Sequence, residues 1–339
     1  MIIDLRSDTF TKPTSAMKEF MFNAEVGDDV FNEDPTVNAL QDYCAELFGM
    51  EAGLYCSSGT QTNQIAIGVH TKPGDEVICS NLAHIYIYEG GGIALNSGCS
   101  MALLEGDHGR ITADAIRNAI NPDDIHRPIS SLVCIEDTVN KGGGACYDLE
   151  EIKKISALCK EKGLAFHCDG ARIFNALVAK NISPKDYGQY FDSISICLSK
   201  GLGAPVGSIL IGKRDFIKKA IRRRKSMGGG MRQAGIIAAA GLFALKNNVE
   251  RLKIDHEKAQ VIADKLVQLS WVKSVMPVET NIVIFTVADG LTSDEMVQKL
   301  AKQDIKCFTF GPDKIRMVTH LDLTDDHYNE LLKRLSSVQ

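Results

Sequence analysis

Short apolar runs alternate with amphipathic stretches through the first 245 residues. Runs rich in branched and aromatic side chains predict strands at Glu51–Tyr55, Glu76–Ser80, Ser131–Ile135, Leu164–His167, Ser193–Leu198 and Ser208–Ile211. Between them, apolar positions spaced three and four apart predict helices at Gln61–Thr71, His84–Leu95, Thr112–Ala119, Leu149–Lys162 and Asp215–Ser226. A further helix is expected at Thr36–Phe48, and Asp148, three residues before Glu151, is expected to cap the one that follows it. Residues 1–15 read as an extended arm. Strands alternating with helices imply an α/β fold, a mainly parallel sheet covered on both faces, with ligands beyond the carboxyl ends of its strands.

The pattern changes near Leu245. A charged helix over Val249–Leu269 leads to a strand at Thr280–Val287 and a helix at Ser293–Gln303. A hairpin of Lys306–Phe310 and Lys314–Thr319 follows, then a helix from Asp325. This predicts two domains: a large one over 1–245 and a small α+β one over 246–339.

Composition adds mostly exclusions. A net charge of −5 gives no sign of a nucleic-acid or anionic-membrane partner. The longest apolar run, Gly235 to Leu245, is short of the roughly 20 residues a membrane helix needs. The opening Met1-Ile2-Ile3-Asp4-Leu5-Arg6 lacks signal-peptide architecture, so a cytoplasmic protein is expected. The ten cysteines form no C-x-x-C and stand at no zinc-ligand spacing, and so read as buried thiols with no metal site.

Three segments carry chemistry. Leu164-Ala165-Phe166-His167-Cys168-Asp169-Gly170-Ala171-Arg172 is an apolar strand ending in a carboxylate. Ser193-Ile194-Ser195-Ile196-Cys197-Leu198-Ser199-Lys200 is another, ending in a lysine, and both charges are expected at one sheet edge. An apolar strand end favours the neutral amine, which a Schiff base to an aldehyde cofactor requires. A carboxylate beside it suits the ring nitrogen of pyridoxal phosphate. An ordinary ion pair at two strand ends accounts for these residues equally well. The third segment, Tyr55-Cys56-Ser57-Ser58-Gly59-Thr60-Gln61-Thr62-Asn63, follows a strand and opens a helix, as a phosphate site does, and as a plain Ser-Gly-Thr helix cap does too. Gly201-Leu202-Gly203-Ala204-Pro205-Val206-Gly207 fails as a dinucleotide fingerprint, with a proline where a helix should begin.

Taken together, Arg6-Ser7-Asp8-Thr9, Glu25-Val26-Gly27-Asp28-Asp29-Val30, Glu33-Asp34-Pro35-Thr36, Ser58-Gly59-Thr60, His167-Cys168-Asp169-Gly170-Ala171-Arg172, Leu198-Ser199-Lys200-Gly201-Leu202, Ala204-Pro205-Val206-Gly207-Ser208 and Gly228-Gly229-Gly230-Met231-Arg232-Gln233 resemble the low-specificity L-threonine aldolases. These are fold-type I pyridoxal-phosphate enzymes of the β-eliminating lyase group. The resemblance implies that Lys200 carries the cofactor, Asp169 pairs with its ring nitrogen, and Ser58, Gly59 and Thr60 hold its phosphate. It implies that His84 stacks on the ring and that Ser7, Arg172 and Arg316 bind the substrate carboxylate, Arg172 also bordering the cofactor. His126 and Tyr88 match positions near the substrate hydroxyl and side chain. His84 and His126 are thus both candidate bases, as is an ordered water. Lys225, toward substrate, and Arg232, toward cofactor, match residues that enter from a neighbouring subunit of a homotetramer.

The implied reaction is retro-aldol cleavage of L-threonine and L-allo-threonine to glycine and acetaldehyde. The alternatives are another outcome of the same cofactor (β-elimination, racemisation or cleavage of a bulkier β-hydroxy amino acid) or a non-catalytic scaffold of this fold. The chain departs from the family at Glu136-Asp137-Thr138-Val139-Asn140, where Asp137 and Val139 stand in place of an amide and a histidine, and at Ser57 and Gln61. Asp137 is expected to alter the charge near the cofactor's phenolic oxygen, if that position lies there.

Overall fold

The structure is a computed structural model that describes residues 1–338. Strand β1 (Ile3–Asp4) belongs to the arm. Seven strands build the main sheet: β2 (Ala52–Cys56), β3 (Glu76–Ser80), β4 (Ser100–Leu104), β5 (Ser130–Glu136), β6 (Ala165–Gly170), β7 (Ser193–Cys197) and β8 (Ser208–Gly212). Their order is β2-β8-β7-β6-β5-β3-β4, with β8 alone antiparallel to its neighbours. β7 and β8 are buried along their whole length, the mark of a sheet covered on both faces.

Successive residues of these strands enter opposite cores. Val133 and Ile135 of β5 join Phe166, Ile194 and Ile209 against the helices Pro35–Leu47, Leu149–Lys162 and Gly235–Asn247. Leu132 and Cys134 turn to the other face, where Val77 and Ile67 pack, and the helix Arg214–Ser226 closes that side through Ile217 and Ala220. Asp34 accepts hydrogen bonds from the Thr36 and Val37 N–H groups, and Pro35 sits in the first turn, so the helix start predicted there has its physical cause.

The second sheet is antiparallel, β12-β13-β10-β9, built from β9 (Val272–Val275), β10 (Ile282–Val287), β12 (Phe308–Thr309) and β13 (Lys314–Val318). Between them β11 (Ile305–Lys306) pairs in parallel with β1. Ile3 and Leu5 therefore lie in the same core as Val283, Phe285, Leu300 and Leu331. The helix Ser293–Lys302 begins with a full capping box between Thr292 and Glu295.

Several expectations need correction. The helix expected over His84–Leu95 stops at Ile87, because Gly90 and Gly91 take positive φ values of 62° and 70°, and the chain resumes as a short π-helical turn at Ile93–Ser97. Asp148 takes the cap position without a side-chain cap bond and faces Lys180 instead, while Glu151 accepts the Ala113 N–H. β4 and β9, both short and half exposed, and the mostly apolar helix Ile173–Lys180 show no clear period and were not anticipated.

Candidate active site

β2 and β7 both run antiparallel to β8, so they share a direction with β3, β5 and β6. Their carboxyl ends deliver the chemistry to one rim: Ser58–Thr60 after β2, His84 after β3, Glu136 at the end of β5, Asp169 on β6 and Lys200 after β7. Asp169 pairs in register with Glu136 on one side and Ser195 on the other. A cleft of about 360 Å³ opens there, lined among others by Ser7, His84, Tyr88, Arg172, Lys200 and Arg316.

Half-buried Lys200 donates from Nζ to Cys197 Sγ at 3.5 Å. Cys197 in turn lies under the start of the helix Gly59–His70, where a Cβ added to Gly59 would meet its sulfur at 2.5 Å. The lysine and the helix start are thus two sides of one cradle. Ser58 caps that helix by accepting the Gln61 N–H, and the first N–H groups of any helix lack intrahelical partners and carry its positive end. Gln61 also accepts from Ser57 N and Ser57 Oγ and ties the turn shut.

Asp169 is buried, accepting from Asn63 Nδ2 at 2.9 Å and from the Ala171 N–H. Burial raises its pKa, against the pull of His84 and Lys200. His84 Nδ1 stands 3.0 Å from Glu89 Oε1, and the His84 backbone N–H donates to Glu136 Oε2. Burial disfavours the imidazolium, but the hydrogen bond to Glu89 with the Asp169 and Glu136 charges outweighs it, and the pKa of His84 is raised. Burial and Asp169 push Glu136 up to about 7.

The two arginines differ. Arg172 is forked onto Asp8, Nε to Oδ2 at 2.8 Å and Nη2 to Oδ1 at 2.6 Å, with both residues buried. The acidic partner takes part of the fork that the substrate was expected to use. Arg316 gives Nη1 to Asn140 Oδ1 and Nη2 to the Arg6 carbonyl, and its buried Nε has no partner. Burial and the nearby Arg172 push its pKa down to about 10, which still leaves it charged at neutral pH. Ser7 is buried and accepts from Thr9, and Tyr88 is half exposed at the cleft mouth.

Three expected residues lie away from this sheet rim in the single chain. His126 sits on an exposed loop against Asp124 Oδ1 at 2.8 Å. Lys225 borders a separate depression, and Arg232 pairs with Asp28 on the surface. Asp137 is corrected as well. Its side chain turns under the sheet to Tyr187 Oη at 2.7 Å and the Tyr147 N–H, so it does not face the cleft. Val139 is a core residue.

Glu89, Asn63, Glu136, Asn140 and the hairpin residues Phe308 and Phe310 were not anticipated as site residues. The polar run Thr60-Gln61-Thr62-Asn63-Gln64 that opens this helix, too long for one solvent-facing side, was the one available signal. His84, Glu89 and Asp169 bring possible metal-ligand atoms within 4.8 Å of one another, but Asn63 Nδ2 already donates to both carboxylates. A buried carboxylate, an amine two strand ends away from a helix start, and an arginine paired only with neutral groups fit a phosphorylated pyridine aldehyde bound beside an amino acid.

The beta-eliminating lyase family profile matches residues 4–290. The chain is 45% identical over 331 residues to the low specificity L-threonine aldolase of Escherichia coli (strain K12), covering 97% of each. It is 42% identical over 330 residues to the probable low-specificity L-threonine aldolase 2 of Arabidopsis thaliana, covering 95% of this chain and 93% of that one. The solved threonine aldolase of Leishmania major superposes with a TM-score of 0.83 over 98% of this chain and 99% of the other, at 23% identity, which speaks for the fold. The chain belongs to the beta-eliminating lyase family, and its curated relatives include low-specificity L-threonine aldolases.

Proposed function

We propose that this chain is a pyridoxal-phosphate-dependent carbon–carbon lyase that cleaves L-threonine and L-allo-threonine to glycine and acetaldehyde. The observation that carries the reading is the meeting at one cleft of Lys200 and Arg316, the latter with no carboxylate partner among the described residues, with buried Asp169 on the adjoining strand. When bound, the cofactor supplies an aldehyde for an amine and a ring that takes up the electron pair of the breaking bond. Lys200 would hold it covalently, Asp169 would keep its ring nitrogen protonated, and the N–H groups of Gly59 and Thr60 with the Ser58 hydroxyl would bind its phosphate.

Arg316 and Ser7 bind the substrate carboxylate, with the charge of Arg172 behind them. Holding that carboxylate fixes which bond at the α carbon stands across the ring, and so selects cleavage over racemisation. His84, with Nδ1 turned to Glu89, leaves Nε2 to take the β-hydroxyl proton. Tyr88, Phe308 and Phe310 limit water at the mouth.

Phe22 and Phe31 are 89% and 69% exposed, the kind of apolar surface that a partner subunit covers, and the turn that carries Phe31 also pairs Asp28 with Arg232. A homotetramer in the cytoplasm, with Lys225 and Arg232, and His126 from its exposed loop, completing a neighbour's cleft, is part of the proposal. No helix among the described residues is long and apolar enough to cross a membrane.

Product analysis with added cofactor tests the reading. Glycine plus acetaldehyde from threonine supports it, while ammonia plus a keto acid favours the elimination alternative. Borohydride reduction must label Lys200, and Lys200→Ala must lose both label and turnover. A fully active alanine variant overturns the mechanism.

A further inference from the structure

Behind Asp169 runs a continuous hydrogen-bond chain, buried except at its far end, half-buried His70, that the mechanism does not use. His70 Nε2 lies 2.7 Å from Ser193 Oγ, and Ser193 Oγ lies 2.8 Å from His167 Nδ1. His167 Nε2 lies 3.2 Å from Asn63 Oδ1. Asn63 Nδ2 then donates at 2.9 Å both to Asp169 Oδ2 and to Glu89 Oε1, the oxygen that His84 Nδ1 also meets. Gln64 Nε2 takes the other Glu89 oxygen at 2.7 Å.

Donor counting fixes every orientation in this chain. The Asn63 amide has two hydrogens, and each carboxylate takes one. Turned the other way, its carbonyl would face both carboxylates. Its oxygen must therefore accept, and the donor available is His167 Nε2–H. His167 Nδ1 is left to accept from the Ser193 hydroxyl, whose oxygen accepts from His70 Nε2–H. Burial keeps both rings neutral, His167 down to about 3 and His70 to about 4. A neutral amide also has a virtue that a lysine at this position would lack: it holds two carboxylates at one buried edge without cancelling the negative charge that the cofactor ring needs.

We infer that Asn63 is a positioning residue that holds the ring-nitrogen carboxylate Asp169 and the Glu89–His84 pair in one fixed arrangement, with His167 and Ser193 setting the direction of its amide. This rests on the function proposed above.

The test uses holoenzyme variants. Asn63→Ser has one hydrogen to offer where two are needed. It should lower kcat on threonine about 10-fold or more with KM changed less than about 3-fold, and raise the cofactor dissociation constant, read from the visible band of the bound cofactor, by a similar factor. His167→Leu should reproduce this loss, and His167→Gln, which keeps a donor at the Nε2 position, should recover most of it. Should Asn63→Ser not fold, the His167 pair decides alone. Wild-type kcat and cofactor affinity in Asn63→Ser, or in His167→Leu, overturn the inference. A wild-type protein with neither cofactor band nor glycine production overturns the reading of the site, and this inference with it.

Discussion

Arg172 and Arg316 line one cleft in opposite states: Arg172 is forked onto buried Asp8, whereas Arg316 has no carboxylate partner among the described residues. Arg316, whose partners are the neutral Asn140 amide and the Arg6 carbonyl, is the one available to a substrate carboxylate. Arg316→Lys keeps the charge and loses the planar pair of donors. It should raise KM for threonine about 10- to 100-fold with a smaller change in kcat. Steady-state kinetics on both threonine diastereomers measures this, and an unchanged KM rules Arg316 out as the anchor.

Asp8 is the counterpart. Burial alone would raise its pKa, but the charge and hydrogen bonds of Arg172 outweigh this and hold it well below the ordinary 3.8. A depressed carboxylate contributes stability above its unfolded value and loses it as pH falls through the folded one. Asp8→Asn leaves a buried guanidinium uncompensated and should cost about 3–5 kcal/mol at neutral pH. Urea unfolding should show the gap between wild type and variant narrowing as pH drops below about 4.

Gly59 is held to its identity by Cys197. In Gly59→Ala the new methyl meets the sulfur at 2.5 Å and must push into the phosphate cradle. Cofactor affinity should fall about 10-fold, and Gly59→Ala with Cys197→Ala should regain much of it, a coupling of at least about 0.5 kcal/mol in a double-mutant cycle. Additive effects would show that the two do not touch.

Asp137 offers a pH signature away from the site. Burial pushes it up to about 7, despite the Tyr187 hydrogen bond. A raised carboxylate favours the fold fully below its unfolded value of 3.8 and loses that contribution as pH rises through about 7. Asp137→Asn should therefore raise Tm at pH 8, by on the order of 1–3 kcal/mol in stability, and change little near pH 4. Thermal scans at the two pH values check it; an equal shift at both refutes the assignment.

The rim of the sheet was legible because strand ends announce themselves: Asp169 and Lys200 each close a buried apolar run, and the Ser58 turn opens a helix. Glu89 was not legible, since it follows the short helix that Gly90 and Gly91 break and reaches His84 only through that break. Asn63 hid inside a helix whose Thr62, Asn63 and Gln64 are all buried, where the period alone marks a polar residue as outward. The Asp8 fork spans 164 residues of sequence, and no local pattern signals such a pair. Asp137 was misplaced because neighbours on a strand end face opposite sides, and only Glu136 turns toward the cleft.

The arm that holds β1 beside β11 also carries both arginine anchors: the Arg6 carbonyl receives Arg316, and two residues on Asp8 grips Arg172. A single proteolytic nick between Leu5 and Thr9 would thus slacken both guanidinium groups together while leaving the seven-stranded layer intact. Silencing by such a cut would resemble loss of substrate capture, with the vitamin still in its seat.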